Sequence, residues 1–232
     1  MISIHQSQFL SWTPFYYKVL SSENFVTLDD VQFQKNGVQN RNLIKTPQGK
    51  SWITVPVKFD LSTKINEVII DPNFKKDKLL RTIELNYKKS KNFEIVFKMV
   101  KSIIESEYFN LHQLNENIFI KFLKLLDCNT KLINSSSLTT NSKKDDLVID
   151  IIKNIGDYDY LSGKGALNYM DMSKFKKENI KVYVYDFKYS NYNQLWNKIG
   201  FVKEMSILDL LFNNLDEARQ YILKNGSIKR II

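Results

Sequence analysis

Two short segments hold most of the residues able to do chemistry, IHQSQFLSW (4–12) and LDDVQFQKNGVQNRN (28–42). The first carries His5, one of only two histidines in the chain. Histidine titrates near neutral pH and can donate from one ring nitrogen while accepting at the other, which suits a general acid–base or phosphate-facing role. The plainer alternative is an imidazole satisfied by backbone at a strand end. The second segment opens with Asp29 and Asp30, of which one can orient His5 or hold a cation while the other caps the following turn. Neighbours on a strand point to opposite faces, so only one of the pair is expected in a given pocket. Behind them come Gln32, Lys35, Gln39, Asn40 and Arg41. Amides supply both donors and acceptors, as hydroxyl-rich ligands require, and Arg41 offers a bidentate fork for phosphate or carboxylate. No metal site is expected, because nothing like a two-histidine ligand spacing exists.

The elements that must position these residues follow from the apolar pattern. ISIH (2–5) reads as a strand, Phe15 to Leu20 as a helix, and NFVTLDD (24–30) as a second strand. Parallel pairing of the two strands puts His5 and the acids at one carboxyl-terminal edge, where ligands of open α/β sheets gather. KTPQGK (45–50) is a turn, with strands expected over 51–59 and 65–71. Helical spacing then dominates from about 73 to 127, a helical insertion. Alternation resumes with a strand over 131–136, a helix over 145–156 ended by Gly156, a strand over 158–163, a helix over 167–179 and a strand over 181–187. Helices over 206–214 and 215–226 are expected to finish the chain, the second closed by Gly226. This order predicts one α/β domain over 1–232, a three-layer Rossmann-like fold with a mostly parallel sheet.

Two further motifs bear on function. SGKGALNY (162–169) follows a strand, so backbone amides around Ser162 and Gly163 are placed to cradle an anion at a helix start. It lacks the spacing of a P-loop or of GxGxxG. INSSSL (133–138) offers hydroxyls but no nucleophile elbow. His112, in the helical block, reads as a core residue.

Composition narrows the classes. With 232 residues and 43% hydrophobic content the chain can bury a sizeable core. No apolar run approaches the roughly 20 residues of a membrane span, and no signal-peptide pattern opens the chain, so a cytoplasmic location is expected. The lone Cys128, in FLKLLDC, excludes an internal disulfide and reads as a buried thiol. The net charge of +9 is dispersed, without the aromatic interleaving of a nucleic-acid module, and fits an anionic small molecule.

Taken together, IHQSQFLSW (4–12), PFYYKV (14–19), FVTLDDVQFQKNGVQNRNLIKTPQGKSWITVPV (25–57), YLSGKGALNY (160–169) and SILDLLFN (206–213) resemble the WbqC-like family over nearly the whole chain. Ser7 and Ser11 stand where that family usually has prolines, and Pro14 where it has glycine. The resemblance implies bacterial surface-polysaccharide (O-antigen or capsule) biosynthesis, with attachment of an acyl or aminoacyl group to an amino sugar. On that basis the expected partner is a nucleotide-linked amino sugar, and a homodimer is allowed. His5 is the expected base, oriented by Asp29 or Asp30. Arg41, Lys35 and Lys45 are expected to hold diphosphate, while Gln6, Gln32, Gln39, Asn40, Ser162, Gly163 and Tyr169 complete the substrate site. The donor is left open among an acyl-CoA, an amino acid with ATP, and a formyl-folate. Rival readings are a non-catalytic sugar-nucleotide binding module and a nucleotidyltransferase-like activating enzyme. The strand–histidine–helix–strand–acid order resembles the latter class, though the second histidine of its signature is missing.

Overall fold

Apolar alternation over residues 2–6 and 24–28 builds the centre of the molecule. In the computed structural model, which describes all 232 residues, β1 (Ile2–Gln6) leads into α1 (Thr13–Leu20) and returns as β2 (Asn24–Leu28). Pro14 opens α1, where a missing N–H costs nothing. The strands pair in parallel with His5 opposite Thr27 and Gln6 opposite Leu28. Asp29 and Asp30 therefore follow directly at the same edge as His5.

A long excursion then leaves the main sheet. β3 (Arg41–Thr46) and β4 (Gly49–Thr54) form a hairpin that turns at Gly49, whose φ of +109° suits glycine. The strand expected over 51–59 breaks at Pro56, which has no N–H to give a ladder, and only β5 (Val57–Lys58) continues it. The strand expected over 65–71 is a 3-10 turn (Ile65–Glu67) followed by β6 (Ile69–Ile70), paired with β5. The expected helices follow as α2 (Lys76–Tyr87), α3 (Phe93–Glu105) and α4 (Leu111–Leu125). In α3 the buried Val96, Val100, Ile103 and Ile104 fall on one face at helical spacing.

The chain re-enters the sheet as β7 (Lys131–Asn134), beside β2, then α5 (Lys144–Ile155), closed by Gly156 at φ +76°. β8 (Asp159–Gly163) crosses to the far side of β1, and α6 (Met172–Lys177) leads to β9 (Lys181–Phe187). The helix expected over 167–179 is shorter than its pattern: Asp171 caps it by accepting from the Ser173 N–H, and a separate 3-10 turn occupies Lys164–Asn168. α7 (Ile207–Asn214) and α8 (Ala218–Asn225) follow, but they do not finish the chain. Gly226 is extended rather than left-handed and starts β10 (Gly226–Arg230), antiparallel to β9.

The sheet order is β10-β9-β8-β1-β2-β7, parallel except for β10. Chain direction across the sheet reverses between β1 and β8. Side chains alternate between two cores: Phe25 joins the larger one with α1, α3, α4 and α7, while Val26, Ile2 and Ile4 join a smaller one with α5 and α6. The mixed α/β layout with a mostly parallel sheet thus has helices on both faces. No helix is long and apolar enough to cross a membrane.

Candidate functional site

A cavity of about 720 Å³ opens at the carboxyl ends of β1 and β8, where the strand order reverses. Open α/β sheets bind ligands at such a point, because the connections leave the edge in opposite directions there and uncover a crevice. His5 and Gln6 from β1, Ser162 and Gly163 from β8, and Lys18 from α1 meet in it. Trp12, Tyr160, Tyr169, Tyr185, Phe187 and Tyr189 give it an aromatic wall. Burial pushes the Tyr160 and Tyr185 hydroxyls up to about 12, so both are neutral donors at physiological pH.

His5 packs edge-on against Phe15, ring centroids 5.2 Å apart. Its Nδ1 lies 3.1 Å from the Gln6 carbonyl oxygen and 3.4 Å from the Gln8 amide nitrogen. Desolvation, with the nearby Lys18 charge second, lowers its pKa to about 3, so the imidazole is neutral at pH 7. The sign for stability follows. The unfolded chain protonates near 6.5 and the folded one near 3, so His5's contribution is fully present above pH 6.5 and is lost as pH falls through 3. His5→Gln is expected to flatten urea-unfolding stability between pH 6.5 and 3 relative to wild type; an unchanged slope would contradict the desolvation of this half-buried ring.

The two acids do not orient His5. Asp29 is buried and accepts from the Ser136 hydroxyl at 2.6 Å, the Ser136 N–H at 2.9 Å, the Ser135 hydroxyl at 3.0 Å and the Asn66 amide at 3.2 Å. Burial raises its pKa, but the Ser136 bonds, the His112 ring and the Ser135 hydroxyl together outweigh that and hold it below the usual value. Asp29 therefore clamps the end of β2 to the turn after β7. Asp30 lies against the same Ser135 hydroxyl, whose single proton the two carboxylates share, and faces a second cavity.

His112 is a buried residue, as its place in a helix suggests, but it faces Asp29: Nε2 lies 3.8 Å from Asp29 Oδ2 and Nδ1 3.3 Å from Ser7 Oγ. The row of serine, histidine and aspartate is not a nucleophile site. Ser7 is buried and borders only a void of about 10 Å³, room for a single water.

The amide-rich loop divides. Gln39 is buried; its Oε1 accepts from the Gln34 N–H at 2.7 Å and its Nε2 donates to Gln6 Oε1 at 2.9 Å, so it sets the rim without lining it. Gln6 and Gln34 border both the first cavity and the second, of about 770 Å³, which adds Gln32, Asp30, Lys64, Lys143 and Lys144. Gln32 also donates to the Leu61 carbonyl at 2.5 Å. Lys35 is exposed on the loop. Asn40 Nδ2 donates to the Val55 carbonyl at 2.9 Å, tying the loop to the segment after β4. Arg41 donates to the Asn36 carbonyl and stacks over Trp52, 4.3 Å from the ring centroid. Lys45 lies elsewhere: it is buried, with Nζ donating to Gln194 Oε1 at 3.0 Å and the Gly200 carbonyl at 2.7 Å. Neither Arg41 nor Lys45 borders either large cavity. The expected anion cradle at 162–169 has no α-helix start, because a short 3-10 turn follows β8. Ser162, Gly163 and Tyr169 nonetheless line the first cavity.

The sequence reading missed Lys18, Tyr185, Tyr189 and the lysines of the second cavity. Lys18 did leave a trace, as a lone charge inside the apolar run PFYYKVL. It is 2% exposed, and its Nζ donates to the Ile4 carbonyl at 2.6 Å. Burial lowers its pKa to about 7.

Comparison with known proteins adds one relative and one family. A 33% identical protein of Mycobacterium tuberculosis, described as uncharacterized protein Rv1507c, aligns over 225 residues, 95% of this chain and 96% of its own length. No solved structure matches. The WbqC-like protein family matches residues 6–221, from the Gln6 that joins the two cavities to α8. The chain belongs to the WbqC-like protein family.

Proposed function

We propose that the protein transfers an acyl or aminoacyl group to the amino group of a nucleotide-linked amino sugar in bacterial surface-polysaccharide biosynthesis. The observation that carries this reading is the pair of adjoining cavities at the carboxyl edge, joined at Gln6 and Gln34. Their chemistries are complementary. The first is lined by aromatic rings and tyrosine hydroxyls with Lys18 on its wall, suited to stacking on a sugar or base that carries an anionic oxygen. The second has Lys64, Lys143 and Lys144 beside hydroxyls and amides, suited to phosphate. Together they accommodate an elongated, negatively charged ligand with a hydroxylated end.

In transfer, the sugar amine attacks the donor carbonyl, loses a proton and expels the donor's leaving group. Neutral His5 is the proton acceptor on the cavity wall. Desolvation first and the Lys18 charge second hold its basicity down, and an anionic ligand would offset the second of these. Gln6, with its Oε1 fixed by Gln39, presents its NH2 to an acceptor on the ligand.

The test is mass spectrometry of UDP- and dTDP-amino sugars incubated with the protein and, in turn, acyl-CoA, amino acid plus ATP, or formyl-folate. One pairing is expected to give a sugar heavier by the transferred group, and His5→Gln is expected to abolish it. Turnover retained in that variant removes His5 as the base. Binding of the nucleotide sugar with no product from any donor replaces this reading with a binding module, and an adenylated acid without sugar product replaces it with an activating enzyme.

A further inference from the structure

β1 and β8, the strands that flank the reversal point, hardly touch. They pair only at Ile2–Tyr160 and Ser3–Leu161, whereas β1 stays paired to β2 through Gln6 and β8 to β9 through Gly163. Beyond Ser3 the sheet is split. The Ser7 N–H donates to Leu28 on β2, and backbone groups along a strand alternate sides, so the Ile4 carbonyl points across the split toward β8. No strand partner meets it there. Lys18 Nζ does, at 2.6 Å.

Lys18 thus places a primary amine inside the seam of the sheet, 2% exposed and on the wall of the 720 Å³ cavity. None of the chain's ion pairs includes it. An ammonium has three donors, and Ile4 takes one. Buried charges are ordinarily paired, and an unpaired one is relieved either by losing its proton, as the lowered Lys18 pKa reflects, or by gaining a counter-charge. The other charged groups on this wall do not serve: Lys164 and Asp186 pair with each other at 2.8 Å, and Glu204 pairs with Lys50 at 3.0 Å.

We propose that Lys18 is the anchor for an anionic oxygen of the ligand, phosphoryl or carboxylate, which seats in the seam between β1 and β8 and supplies the counter-charge that the chain withholds. This assigns the ligand's charge and its point of attachment. It rests on the cavity being the binding site, as in the function proposed above, and not on any group transfer. The Ile4 carbonyl holds the amine in place, and the split leaves its remaining donors open to the cavity. An anion there replaces the sheet hydrogen bonds that β1 and β8 forgo.

Isothermal titration of wild type, Lys18→Met and Lys18→Gln with UDP, uridine and N-acetylglycine tests this without turnover. Wild type is expected to bind UDP or N-acetylglycine, and both variants to bind that same anion at least tenfold more weakly while their response to uncharged uridine stays unchanged. UDP as the responsive ligand identifies a phosphoryl source and N-acetylglycine a carboxylate source. Failure of wild type to bind either at millimolar concentration, or equal binding by the variants, overturns the proposal. Should both variants fail to fold, a crystal structure of wild type with either anion decides: an oxyanion within hydrogen-bond distance of Lys18 Nζ supports it, and one seated only on Lys64, Lys143 or Lys144 overturns it. Anion binding lost in the variants but no sugar product under any condition would sink the transferase reading alone.

Discussion

Replacing Asp209 with alanine is expected to lower folding stability by about 3–5 kcal/mol, because removing one member of a buried polar network strands the others. Asp209 is fully buried at the start of α7. Its carboxylate accepts from the Tyr192 hydroxyl at 2.6 Å, the Gln194 amide at 2.7 Å and the Tyr87 hydroxyl at 3.0 Å. Gln194 in turn accepts from Lys45, whose ammonium would also lose the nearby Asp209 charge. Burial raises the Asp209 pKa above its usual value, against the pull of the three donors. The folded state therefore binds this proton more tightly than the unfolded one. The favourable contribution is complete below the unfolded value of 3.8 and is lost as pH rises through the folded value. Asp209→Asn should erase that slope at a smaller cost than alanine. Urea unfolding at several pH values checks both, and an alanine variant within about 1 kcal/mol of wild type would show that the network is dispensable. The network also matters for the site, since it holds the loop between β9 and α7 that brings Tyr189 and Glu204 to the cavity wall.

Gly226→Ala is expected to cost about 3 kcal/mol through overpacking. A Cβ at this position would lie 2.0 Å from Tyr17 Cε2 and 2.2 Å from Cδ2 and Cζ. The ring has little room to retreat, as Tyr185 and Phe187 pack against it with centroids 5.9 and 6.0 Å away. The melting temperature should fall by roughly 6–12 °C for a chain of this size. Adding Tyr17→Leu should recover part of the loss, and a double variant no better than the single one would place the strain elsewhere. The same contact reaches the cavity, because Tyr17 precedes Lys18, and Tyr185 and Phe187 line its wall.

The features legible in the sequence were those encoded within one or two elements. The apolar runs before His5 and Asp29, with a helix between them, dictated a βαβ unit, and the acids did land at the same edge as the histidine. Helical spacing of apolar residues from about 73 to 127 likewise anticipated α2, α3 and α4. What escaped was decided by distant partners. Lys45 looked like a phosphate ligand beside Arg41 until Gln194, 149 residues away, claimed it. Asp29 looked catalytic, yet Ser135 and Ser136 from the turn after β7 satisfy it. Gly226 carried the local signature of a helix stop, while its true constraint is an aromatic ring near the other end of the chain. Lys18 was visible as a misplaced charge in an apolar helix, but its meaning depended on knowing that β8 pulls away from β1.

That separation divides the backbone ladder of the central sheet into two three-stranded halves, β10-β9-β8 and β1-β2-β7, joined by two residue pairs and by a buried cluster in which Ile2, Ile4 and Val26 meet Tyr160 and Val182. The seam between them is also where the first cavity opens. On the anchoring proposed above, an anion at Lys18 sits between the two halves, on the seam onto which the first cavity opens.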